Sequence, residues 1–193
     1  MSVHDRSKRK HLAASVDPNY GSVSLNYDGR PNNRRQVTLG IQFDEASGDL
    51  QRVLKDYSAR RGQLAGQLES YITKCNQGDD RTTVLATDQG FQALLKRTCS
   101  DPIMQKVQID LFEMETVNPA KKWFADQGFT LPLSLLIILD SFLQSGTIPR
   151  SLQGRVDQRM PVEGGDERAW IGEYVRVRHE WYSDKVPGVL MAR

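Results

Sequence analysis

Long apolar runs, cysteine frameworks and metal-ligand spacings are all missing from this chain, and each absence removes a class of function. The longest apolar run, Leu131 to Leu143, is too short to span a bilayer and carries Asp140 in its middle. It reads as a buried helix, and no membrane span is expected. Two cysteines, Cys75 and Cys99, make no disulfide framework; they are either two buried free thiols or one bridge. The three histidines, His4, His11 and His179, are scattered and have no cysteine or carboxylate motif beside them, so no metal is expected. Phosphate-binding loops, dinucleotide fingerprints and nucleophile elbows are also missing, and no cofactor is expected. Charge of one sign is scarce as well. A net charge of +2 is too small to argue for nucleic acid. The start, MSVHDRSKRKH, is basic but lacks an apolar segment behind it, so no secretory signal is expected.

What remains is ordinary globular composition. An apolar fraction of 38% and 193 residues suit one domain, or two lobes sharing a core. Residues 1–10 read as a basic lead-in or linker, and 11–193 as a single domain. The most informative stretch runs from Tyr20 to Asp49. Residues 21–27 alternate small or apolar with polar, and Val37, Leu39 and Ile41 do the same on the return, the two-residue period of a half-buried strand. Between them, Asp28-Gly29-Arg30-Pro31-Asn32-Asn33 is dense in turn formers. The segment is expected to be a β-hairpin with Asp28 at its mouth and Gln36, Thr38 and Gly40 on the return strand. A carboxylate and a threonine hydroxyl so placed can hold a water between them, which is how a glycosidase activates its nucleophile without metal or cofactor.

After the hairpin the period becomes helical. Ser47-Gly48-Asp49 opens a helix to about Arg60, with Leu50, Val53, Leu54 and Tyr57 on one face. Gly62 restarts a second, with Leu64, Leu68, Tyr71 and Ile72 together. A loop near residue 79 precedes a third helix from Asp88, and Pro102 begins a fourth that Pro119 bends or splits before Gly128 stops it. Leu131–Ser145 is apolar nearly all round, which predicts the central helix, closed by Gly146. A short helix near 150–158 and a last one through about Ser183 complete a mainly helical α+β domain with two short strands and about seven helices. Two charges fall where apolar residues belong. Asp140 lies on the central helix, and Arg178 shares a face of the last helix with Trp170, Tyr174 and Trp181. A buried unpaired carboxylate costs several kcal/mol. Either the two pair as a structural ion pair, or Asp140 sits at a helix edge and meets water.

Three segments, in order, give the chain a resemblance to the family 46 chitosanases, a branch of the lysozyme-like superfamily. They are the hairpin with Asp28-Gly29-Arg30, Thr38, Gly40 and Ser47-Gly48-Asp49-Leu50 running to Tyr57; the stretch from Gln105–Asp110 to the central helix with Asp140 and Gly146; and Gly164-Gly165-Asp166-Glu167 with Trp170 and Arg178. The resemblance implies a lysozyme-like two-lobed domain with a small β-hairpin or sheet and a buried central helix. It also implies a two-carboxylate inverting mechanism, in which the carboxyls stand ~6.5–9.5 Å apart to admit water. Transferred onto this sequence, Asp28 is the base and Thr38 holds the water. The general acid, a glutamate in the family, falls in Leu12-Ala13-Ala14-Ser15, with Ala13 the best match and Ala14 the next. Alanine cannot protonate a leaving oxygen, a loss of roughly 10²–10⁴-fold. The chain is therefore expected to be an inactive variant, engineered or natural, unless another acid serves. Asp44 and Glu45 are the local candidates; alternatively they are the N-terminal charges of the next helix.

The expected partner is a β-1,4-linked amino-sugar polysaccharide. Arg30, Arg34 and Arg35 crowd the hairpin tip, either as solvated surface or as contacts for an anionic wall polymer, which favours bacterial peptidoglycan, with chitosan next. Tyr27, Arg30, Arg35 and Gln36 are the expected substrate contacts. Tyr20 and Tyr27 either stack on sugar faces or pack across strands. A glycan-binding module that kept the site and lost its chemistry is the alternative from another class. The expectations extend to a monomer, a cognate inhibitor or immunity protein, and delivery to the periplasm or cell wall by a phage or specialised secretion system, or excision from a larger secreted protein.

Overall fold

A computed structural model describes residues 22–27, 33–40 and 43–185, the side chains of 182, 184 and 185 excepted. The basic lead-in over 1–10, the alanines at 13 and 14, Tyr20, and the hairpin tip with Asp28 and Arg30 lie outside the described residues. The chain divides into two compact units, Met1–Leu111 and Phe112–Arg193.

The first unit holds a three-stranded antiparallel sheet, β1 (Val23–Tyr27), β2 (Arg35–Leu39) and β3 (Phe43–Asp44), in the order β1-β2-β3. The alternation predicts the β1–β2 pairing; β3 is too short for its period to show. Register places Val23 opposite Leu39, Leu25 opposite Val37 and Leu39 opposite Phe43, so one face of the sheet is apolar. Val37 and Leu39 have no exposed surface. Gly40 turns the chain out of β2 at φ 61°, a left-handed conformation that favours glycine.

Four helices surround this sheet: α1 (Asp49–Ala59), α2 (Ala65–Ile72), the single turn α3 (Val84–Thr87) and α4 (Gln89–Thr98). α1 buries Leu50, Val53, Leu54 and Tyr57, the face predicted by their spacing, and packs on α2 and β3. Asp88 caps α4 by accepting the Phe91 amide at 2.8 Å. α3 was not expected; Thr83 caps it through the Ala86 amide, and the loop before it is pinned by single bridges from Gly78 to Thr83 and from Arg35 to Thr82. Below α1 and α2, Asp101 gathers Tyr57 Oη at 2.6 Å and the amides of Gln63 and Ile103 at 2.9 Å each. Burial and the Asp101 carboxylate push the Tyr57 phenol up to about 12. Burial alone would raise the Asp101 carboxyl, but these three donors hold it below its ordinary value.

α5 (Pro102–Phe112) starts on proline, as predicted, and leads into a π-helical turn, Glu113–Val117. α6 (Asn118–Asp126) follows with Pro119 in its first turn. The chain neither stops nor breaks at Pro119. A proline lacks an N–H and its ring crowds the carbonyl four residues back, and the wider turn ahead of it accommodates both.

In the second unit α6 packs on α7 (Pro132–Ser145), and α9 (Glu167–Lys185) packs on α7 and on the short α8 (Arg150–Gln153). Gly128 (φ 75°) and Gly146 (φ 68°) close α6 and α7 where expected. α7 is buried along Ser134, Ile138, Leu139, Ser141 and Phe142, whereas Leu133 and Leu136 are exposed. Its apolar surround thus does not mean burial all round. Glu167, in the first turn of α9, accepts the Thr130 and Leu131 amides and caps α7. The core is aromatic: Trp170 stacks on Tyr174 at 5.2 Å between ring centroids and meets Phe129 edge-on at 5.3 Å. Tyr174 Oη bonds Ser141 Oγ at 2.9 Å.

Arg178 and Asp140 form an ion pair between α9 and α7. The Arg178 side chain is 14% exposed but that of Asp140 is 47% exposed, and Gln144 also reaches it. The pair is therefore not buried, because Asp140 occupies the edge of its helix. Both readings of Asp140 hold in part. Cys75 and Cys99 are free and buried, and burial followed by the nearby Glu45 charge pushes the Cys75 thiol up to about 12. Among the described residues no helix is long and apolar enough to cross a membrane, and no cluster of three His, Cys, Asp or Glu side chains could hold a metal.

Candidate active site

The sheet's second face is polar throughout. The register that aligns Val23, Leu25, Val37, Leu39 and Phe43 on one side must put Ser24, Asn26, Gln36, Thr38 and Asp44 on the other, because side chains alternate along each strand. Ser24 stands opposite Thr38, Asn26 opposite Gln36, and Thr38 opposite Asp44. Five polar side chains on one face are a poor way to stabilise a sheet, since Gln36 and Thr38 are buried to 2% and 5% exposure. The buried ones must find partners, and they find them locally.

Thr38 Oγ1 lies 2.9 Å from Asn26 Oδ1 and is hydrogen-bonded to Asp44 Oδ1. Gln36 Oε1 accepts the Ala46 amide at 2.7 Å, fixing the turn that follows β3. Asp44 is half-buried, and the Ser47 hydroxyl stands 3.0 Å from its backbone carbonyl and 2.7 Å from the Asp49 carboxylate. The result is a threonine hydroxyl held between an amide and a carboxylate.

Behind this face sits Glu45, with no exposed surface. Its Oε2 accepts the Val37 amide at 3.0 Å and the Thr83 hydroxyl at 2.5 Å, and its Oε1 accepts the Asn76 amide at 3.3 Å. Those partners are neutral donors, and they tie β2 to the loop around Gly78. There the backbone is left-handed (φ 131°), and a Cβ would meet the Thr82 carbonyl oxygen at 2.4 Å. Asp44 and Glu45 therefore are not the N-terminal charges of α1, which begins at Asp49. The short strand β3 turns one toward Thr38 and buries the other. Sequence reasoning missed this because a two-residue strand has no period to read.

Of the expected substrate contacts, Tyr27 is 62% exposed and opposite the exposed Arg35, on the other side of the sheet from Thr38. Gln36 joins the Thr38 cluster. Arg34 is not free surface charge: both its terminal nitrogens reach the Asn76 carbonyl at 3.2 Å. Asp28, Arg30, Ala13 and Ala14 lie outside the described residues; the structure brings together Thr38, Gln36, Asn26 and Asp44.

The model of glycosyl hydrolase family 46 matches residues 11–186. No curated protein matches the chain. Among solved structures, a chitosanase complex aligns with a TM-score of 0.73 at 18% identity, over 95% of this chain and 80% of that one. The native chitosanase of Bacillus subtilis MY002 aligns with a TM-score of 0.71 at 20% identity, over 97% and 81%. An alanine mutant of the same enzyme complexed with 6 GlcN gives a TM-score of 0.71 at 18% identity and the same coverage. At these identities the likeness is one of fold.

Proposed function

The chain belongs to glycosyl hydrolase family 46, and we propose that its substrate is a chitosan-type polymer of β-1,4-linked glucosamine, attacked by a water held at Thr38. The family match over residues 11–186 carries the reading. The polar face supports it, because a buried hydroxyl between an amide and a carboxylate is a place to orient one small polar molecule. Solved structures of like fold are chitosanases, one of them complexed with 6 GlcN.

Peptidoglycan is the second reading. It rested on the arginine cluster at the hairpin tip, and Arg34 is engaged with the Asn76 carbonyl, which leaves Arg35 as the exposed described member. That weakens the argument from charge without removing it.

In the proposed mechanism Asp28 is the base and Thr38 orients the water, with inversion at the anomeric carbon. The acid position reads Ala13, or Ala14 in the neighbouring alignment, so the parent chain turns over native glycosides slowly. The test is reducing-end release from chitohexaose and from purified sacculi by the parent, Ala13→Glu and Ala14→Glu. Gain of at least about 100-fold on chitohexaose in one revertant is expected. Gain on sacculi alone would transfer the reading to peptidoglycan, and no turnover on either polymer would leave a glycan-binding module.

A further inference from the structure

Thr38 Oγ1 faces two oxygens, Asp44 Oδ1 and Asn26 Oδ1, but a hydroxyl has one proton to give. An ionised carboxylate can only accept, and a bond to it is about twice as strong as one to a neutral amide. The proton therefore goes to Asp44. The two ends of the Asn26 amide have the same shape, and turned by half a rotation Asn26 presents Nδ2–H to Thr38. Thr38 then donates to Asp44, accepts from Asn26 and keeps one lone pair.

That lone pair sets what Thr38 can do to a water. Water approaching it must donate a hydrogen into it. A water that donates one hydrogen to Thr38 and the other to a carboxylate base turns its own lone pairs outward, toward an electrophilic carbon. With the hydroxyl rotated the other way, Thr38 would donate to the water, occupy one of those lone pairs and leave a hydrogen without its acceptor. The direction of one proton thus decides whether both lone pairs of the water, or only one, are turned toward the carbon.

We propose that Asp44 is the positioning residue for the hydrolytic water, holding the Thr38 proton away so that Oγ1 acts as an acceptor. This rests on the glycosidase reading above. Asp44 does not take the proton of the water and does not touch the sugar; it acts through Thr38. Its setting is rigid. Asp44 pairs with Thr38 across β2 and β3, and the next residue, Glu45, is locked by three hydrogen bonds.

The test uses β-chitobiosyl fluoride and the full chain. Fluoride leaves without being protonated, so hydrolysis reports the water-activating half even when the acid is alanine. Asp44→Ala is expected to lower kcat about 30-fold with KM unchanged, and adding it to Thr38→Val should cost nothing further, since the two act as one unit. Asp44→Asn keeps a carbonyl that accepts from Thr38 and should lose less than about threefold, as a charge-assisted bond becomes a neutral one. Loss as deep in Asn as in Ala, a change in KM alone, or full activity in Ala would each overturn the proposal. A second readout does not depend on turnover. The Thr38 hydroxyl proton should be visible by NMR as slowly exchanging in the parent and in Asp44→Asn; its absence from the parent would overturn the fixed rotor whatever the kinetics. A parent that releases no fluoride would sink the glycosidase reading and the role of Asp44 with it, while the hydroxyl signal would still report whether the pin exists.

Discussion

Glu45 and Asp140 are carboxylates in the two different units of the chain, and the two regions use them in opposite ways. Glu45 has no exposed surface and satisfies three neutral donors from β2, from the loop at Asn76 and from Thr83. Asp140 leaves 47% of its side chain in solvent and pairs with one arginine. Deleting the first strands several donors inside the protein; deleting the second removes a carboxylate that already meets water. The sheet region concentrates buried polarity that few positions can lose. The helical region keeps the Asp140 carboxylate at a helix edge and builds its core from aromatics, around Trp170 and Tyr174.

The sharpest way to break this contrast is to delete both carboxylates separately. Glu45→Ala should cost about 4 kcal/mol in urea unfolding, since each buried donor left unpaired costs ~1–3 kcal/mol. Asp140→Ala should cost about 1 kcal/mol or less, the worth of an exposed pair. Equal losses would mean that the burial contrast does not govern stability.

Between these extremes stands Thr38→Val, which tests whether polarity on the sheet serves function more than fold. It should lower fluoride release at least about 30-fold, a loss of oriented water, while the melting temperature moves by only a few degrees. A large fall in melting temperature with turnover intact would reverse the assignment.

Smaller again is the acid response of Asp101. Its folded carboxyl is held below its ordinary value by Tyr57 and two amides, so its contribution is present above the unfolded value of ~3.9 and is lost as pH falls through the lower folded one. Tyr57→Phe should cost about 1 kcal/mol at neutral pH, one hydrogen bond, and flatten the decline of stability below about pH 4. An acid limb unchanged in slope would remove Tyr57 from the cause.

What the sequence disclosed follows the length of the pattern. α1, α4, α5, α7 and α9 were legible because their periods run for ten residues or more, with Asp88, Pro102, Gly128 and Gly146 as punctuation. β3 and α3 were not, since two and four residues carry no period and are fixed by bonds to distant segments, Glu45 to Thr83 above all. Thr38 was singled out through its strand and the family resemblance. Asn26 was missed because a polar residue in a strand signals only a face, and Asp44 was left between two roles because the register of β3 alone turns it toward Thr38. Asp140 drew notice as a charge in an apolar run, whereas Glu45 lies in the polar string Asp44-Glu45-Ala46-Ser47 and gives no sign of its burial.

The most direct test of where the site lies is a map of amide chemical shifts on titrating the full chain with chitohexaose, which needs binding and no turnover. The account predicts shifts at Ser24, Asn26, Gln36, Thr38 and Asp44, with the Asp140–Arg178 region unchanged. Shifts gathered on α7 and α9, with the polar face of the sheet unmoved, would contradict it.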